Sequence, residues 1–150
     1  MRAAVLAGGA ALLAALVSAS FAAGSPASPT VIARNLPGYG TVLAIPSGQA
    51  LYVLTSDPAG ATRCYGACSK TWRPLIASRA PVAGPGAKAS LLSTFRRKDG
   101  RKQVMYDHRA LYTYAGTDQA AGAGSSTDGG IWVLESPAGK AIKQTAGGGY

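Results

Sequence analysis

The chain has 150 residues, room for one domain with two half-size repeats inside it. Hydrophobic residues reach 47 %, inflated by Ala, and only 14 % of the chain is charged, with 15 Lys+Arg against 6 Asp+Glu and a formal net charge of +9. One His and two Cys exclude a three-histidine or four-cysteine zinc site, a pair of catalytic histidines and an all-cysteine iron–sulfur cluster.

The N-terminus has the three parts of a secretory signal: Arg2, an apolar run over residues 3–17, and small residues at Ser20 and Ala22 around Phe21. Cleavage is expected after Ala22, making residues 1–22 a signal peptide. The run is shorter than the roughly 20 apolar residues of a membrane span, and nothing later could cross a bilayer. No Cys lies near the cleavage point, so a lipobox is absent. A secreted or extracytoplasmic, soluble chain is the expectation. In an oxidising space Cys64 and Cys68 should close a disulfide. Their Cys-x₃-Cys spacing departs from the Cys-x-x-Cys of thiol oxidoreductases. So short a loop stabilises by only about 2 kcal/mol and pins a local turn.

Residues 23–38, rich in Ala, Ser, Pro and Gly, read as a flexible leader, and 146–150 as a tail, leaving the domain at 39–145. Residues 41–45 and 50–55 flank Pro46-Ser47-Gly48 and suggest a hairpin. A helical turn is expected between Cys64 and Trp72, stopped at Pro74. Residues 91–96 and 102–106 flank Asp99-Gly100, a strong hairpin signal. Short strands follow at 110–114 and 131–135. No amphipathic run of ten residues appears after the signal, so the fold class is all-β, mainly antiparallel hairpins, with one short disulfide-pinned helical turn.

A repeat is visible at an offset of 60 residues. Gly40 matches Gly100, Ala50-Leu51-Tyr52 matches Ala110-Leu111-Tyr112, and Trp72 matches Trp132, using both tryptophans. Two related β units, about 40–76 and 100–139, are expected to pack as one domain because each alone is too small for an adequate core. Alternation puts Leu51 and Val53 on one face and Tyr52 and Leu54 on the other, so both faces of this strand should be covered.

The segment Cys64-Tyr-Gly66-Ala-Cys68-Ser-Lys-Thr-Trp72-Arg-Pro74-Leu75 resembles the Cys-x-Gly-x-Cys-x₃-Trp-Pro-Pro-Leu signature of a bacterial secreted-repeat family, predicted lipoproteins with a Tyr-x-(Phe/Trp/Tyr)-x-x-Asp motif. Further matches are Gly40, Leu51-Tyr52 with Asp57, Gln103-Val104-x-Tyr106, Leu111-Tyr112-x-Tyr114, Gly129-Gly130-x-Trp132 and Pro137-x-Gly139. The resemblance spans about residues 40–140. Arg73 replaces the first Pro, Leu54 takes an aromatic position, an extra residue delays the second Asp to Asp118, and Ala110 stands for a Pro. The family implies an envelope or secreted location and no established activity.

Tyr52 with Asp57, and Tyr112 with Asp118, could orient a ligand or cation; as fold devices, each Tyr would pack on the sheet and each Asp would cap its own turn. The Asp128 region lacks the register of a calcium loop. Met105 and His108 offer soft sulfur and imidazole for copper, joined by Cys64 and Cys68 if reduced, in an alternative reading as a small redox or metal-handling protein. On a strand the two would point to opposite faces. No Gly-x-Ser-x-Gly elbow and no P-loop is present, so a non-enzyme without cofactors is expected.

Basic residues are the strongest physical feature. Residues 63–109 hold eleven of them against Asp99 and Asp107, a net +9 that exceeds the +8 left once Arg2 goes with the signal. Arg96, Arg97, Lys98, Arg101 and Lys102 would gather five cations at one hairpin tip. Anionic wall polymers or lipid headgroups are the expected partners, without specific nucleic-acid recognition; a solubilising tip that blocks edge pairing explains the same charges.

Overall fold

The computed structural model describes residues 27–116 and 120–142. The expected signal at 1–22, the start of the leader, Asp118 and the 146–150 tail lie outside the described residues. Twelve strands and one short α-helix cover just under half of the described residues, the strands arranged as antiparallel sheets with a single parallel pairing.

The first strand, β1 (Thr30–Leu36), corrects the leader expectation. Its Thr30-Val31-Ile32 start is β-branched, and Val31 and Leu36 are buried, so this segment is held by packing. It turns at Pro37-Gly38, where the Tyr39 amide donates to the Leu36 carbonyl at 3.0 Å and Gly38 takes a φ of 79°. β2 (Gly40–Ala44) returns antiparallel to it. β2 meets the next segment only at the Ala44–Ala50 bridge, beyond which β3 (Tyr52–Leu54) departs into another sheet. The expected 41–55 hairpin is thus reduced to its turn.

Next comes α1 (Ala67–Thr71), closed by the Cys64–Cys68 disulfide with a Cα–Cα distance of 5.3 Å. It passes directly into β4 (Trp72–Pro74), and β5 (Val82–Ala83) runs parallel to β1. β6 (Leu92–Arg96) and β7 (Lys102–Tyr106) form the hairpin foreseen around Asp99-Gly100. Asp107 and His108, both at positive φ, turn β7 into β8 (Arg109–Ala110). β9 (Tyr112–Tyr114), β10 (Ser126–Thr127), β11 (Gly130–Glu135) and β12 (Ala141–Ile142) complete the chain.

The central sheet runs β10-β11-β3-β9-β4, with β12 on β11. On one side Trp132, Val133 and Leu134 face Leu54, Val53 and Tyr52; on the other Trp72, Arg73 and Pro74 face Tyr114, Thr113 and Tyr112. Shifting every partner by 60 positions converts one set into the other, and the two halves meet at Tyr52 opposite Tyr112. Each Leu-Tyr strand is therefore flanked by the Trp strand of the opposite half. Tyr52, Leu54, Tyr112, Trp132 and Leu134 enter one core; Leu51, Val53, Leu111 and Val133 enter a second with Val31, Leu43, Val104 and Tyr106. Both faces of the central strands are covered, as their alternation requires.

Candidate functional site

The motif residues converge on the central sheet. Trp72 stacks on Trp132 with ring centroids 4.1 Å apart and planes 11° from parallel. Tyr114 lies 4.9 Å from Trp72, Tyr52 meets Trp72 edge-on at 5.3 Å, and Tyr112 meets Trp132 edge-on at 4.9 Å. Such contacts add about 0.5–1.5 kcal/mol each beyond area burial. Residues 120–123 close over the rings. A Cβ on Gly122 would lie 2.3 Å from the Trp72 ring, so only glycine lets the backbone approach this closely.

Tyr112 donates its hydroxyl proton to Asp57 Oδ2 at 2.5 Å and also bonds Thr62 Oγ1. Asp57 Oδ1 accepts the Arg63 amide at 2.8 Å, and Thr62 Oγ1 accepts the Cys64 amide at 2.9 Å. Asp57 thus caps its own turn, yet its tyrosine is Tyr112 of the other half rather than Tyr52. Burial is the first cause of two shifts here: it raises the Asp57 carboxyl, and it raises the Tyr112 phenol far above its ordinary value. The phenol proton is therefore held, and its oxygen is fixed between Asp57 and Thr62 in the interior.

Tyr106 belongs to the second core. Its hydroxyl donates to the Pro137 carbonyl at 2.7 Å and accepts the Lys88 amide at 2.9 Å. Met105 is buried while His108 is exposed. Both cysteine sulfurs are consumed by the disulfide. Among the described residues, no three of His, Cys, Asp and Glu group to hold a metal.

The five-cation hairpin tip is rearranged. Arg97 is 2 % exposed, which corrects its assignment to a binding surface. Its guanidinium donates to Gln103 Oε1 at 2.5 Å, to the Cys64 carbonyl at 3.1 Å and to Asp99 at 3.1 Å, and lies 4.5 Å above the Tyr65 ring. Gln103, fully buried, passes its amide on to the Leu111 carbonyl at 2.8 Å. Arg97 thus ties the hairpin to the disulfide segment. Arg101 pairs with Asp99 at 2.8 Å and, as first cause, holds that carboxyl well below the usual range. Arg96, Lys98 and Lys102 keep their exposure. Arg96 stands directly across from Lys102, a like-charge pairing.

No protein-family model, curated protein or solved structure matches the chain. The likeness to the secreted-repeat family rests on the residues quoted above. Among the described residues, no helix is long and apolar enough to cross a membrane.

The spacing of Asp57, Asp118 and Glu135 supports no paired-carboxylate site, and Glu135 stands out only in the fold. This carboxylate has no solvent exposure, pairs through Oε1 with Arg109 at 2.6 Å, and leaves Oε2 without a hydrogen-bond partner among the described residues. Burial pushes its pKa up to about 7 despite Arg109. Its strand position beside Ser136-Pro137 carried no signal of burial. Arg109 is one of the eleven basic residues of 63–109, and only the fold sets it against Glu135.

Proposed function

We propose that this chain is a secreted, non-catalytic β module of the bacterial cell envelope, of the secreted-repeat type, that binds an anionic partner through its basic face. The signal-like sequence at 1–22 and the closed disulfide support the address. The 60-residue register symmetry of the central sheet supports the reading of two related units. One observation carries the binding reading: the nearby acids are already answered internally, Asp99 by Arg97 and Arg101 and Glu135 by Arg109. Arg96, Lys98 and Lys102 are exposed with no ion-pair partner among the described residues. Such a surface attracts anionic polymers or headgroups with little selectivity for their sequence.

The test is retention on immobilised poly(glycerol phosphate) at low salt. The chain should be retained and released by salt, and the triple variant Arg96→Gln, Lys98→Gln, Lys102→Gln should elute early. Equal retention of the variant overturns this mechanism.

A further inference from the structure

We propose that the cleft between β6 and residues 79–81 is a seat for a phosphodiester group, gripped by Arg79 and Lys102. The inference rests on the anionic-partner reading and names where one charge of that partner sits. Its position follows from the chain path. The Ala77 amide donates to the Lys102 carbonyl at 2.9 Å, and Ile76 bridges Gln103, so the chain leaves β7 two residues before Arg79. Arg79 and Lys102 then line one cavity of about 390 Å³ together with the hydroxyl residues Ser93 and Thr94. Neither cation has a side-chain partner among the described residues, and no acidic residue lines the cavity.

Three features select the ligand chemistry. A guanidinium fork and an ammonium, with two hydroxyls beside them, supply donors suited to the several oxygens of a tetrahedral oxyanion. Lys102 stands across the strand pair from Arg96, whose guanidinium turns to the Gly100 carbonyl at 2.9 Å, so an anion beside Lys102 offsets a like-charge pairing that no acid among the described residues answers. The cavity also exceeds the size of a bare phosphate, and Pro81 and Leu92 give it an apolar wall. An anion attached to a carbon chain, as in a glycerol-phosphate polymer or a phospholipid headgroup, fills both parts.

The experiment titrates the isotope-labelled chain with inorganic phosphate, then with glycerophosphoglycerol, at constant ionic strength, following backbone amide resonances. Saturable shifts confined to residues near 79, 93, 94 and 102 are expected. Arg79→Gln and Lys102→Gln should each raise the dissociation constant about tenfold, whereas Lys70→Gln, an exposed charge at the end of α1, should not. Unchanged resonances elsewhere verify that the variants fold. Retention on immobilised poly(glycerol phosphate) and on phosphatidylglycerol vesicles then separates the sources: the one whose binding Arg79→Gln weakens more is the ligand's carrier. Shifts spread evenly over the basic segment, or affinities untouched by Arg79→Gln, overturn the seat. If the poly(glycerol phosphate) retention persists in that case, the broader basic-face reading survives without it.

Discussion

Arg97 illustrates what one side chain can hold together. Its guanidinium spends its donors on Gln103, Asp99 and the Cys64 carbonyl, and its plane lies over Tyr65. Removing one partner of a buried charged network leaves the others unsatisfied, so Arg97→Ala should destabilise the fold by about 3 kcal/mol, measured by denaturant unfolding. Arg97→Lys should recover little of that, because an ammonium cannot reproduce the fork. Glu135 makes the opposite contribution. Its pKa is raised by burial from an ordinary value of 4.5 to about 7, so between these values the native chain binds more protons than the unfolded one. Stability should therefore fall as pH rises from 4.5 to 7, by at most about 1.4 kcal/mol per pH unit, and level off above. Glu135→Gln should flatten that slope in thermal melts across pH. A slope that persists unchanged in this variant would assign it elsewhere, Asp57 being next because burial raises it in the same direction.

At the scale of elements, local turn chemistry wrote the β6–β7 hairpin into the sequence: Asp99-Gly100 sits between two short β-prone runs, and Gly100 takes a φ of 84°. The helical turn behind the disulfide was legible for the same reason. β1 was missed because Arg34 and Asn35 break its alternation and its flanks look like linker. Its order comes from β2 on one side and β5 on the other, which no local pattern reports. The partners of Tyr112 and of each Trp were likewise hidden, since they lie in the opposite half of the chain. Among the basic residues, Arg96 and Arg97 are neighbours of one type; only the fold, which points Arg97 at Gln103 and Cys64, separates a structural cation from an exposed one. Gly122 carries its own prediction. Gly122→Ala should lower stability by about 1–3 kcal/mol, because the Trp72 ring stacked on Trp132 has no room to yield. Near-ultraviolet circular dichroism would register the disturbed ring pair.

For the molecule as a whole, the sheet joins the halves by exchange. β11 closes on β3, and β4 closes on β9, so neither half completes the central sheet alone. This arrangement fixes the two cores and leaves the chemistry of the surface to charge. Asp57 and Glu135 are engaged inside and Asp99 at its turn, and a cationic face remains around β6, β7 and residues 79–81. The salt dependence of binding to linear polyphosphate tests that account most directly. Plotted as logarithm of affinity against logarithm of salt concentration, the chain should give a steep negative slope. Arg96→Gln, Lys98→Gln and Lys102→Gln together should reduce its magnitude by about 2, near 0.7 for each charge removed. A slope near zero for the unaltered chain, or the same slope for the triple variant, would contradict the assignment of anionic binding to this face.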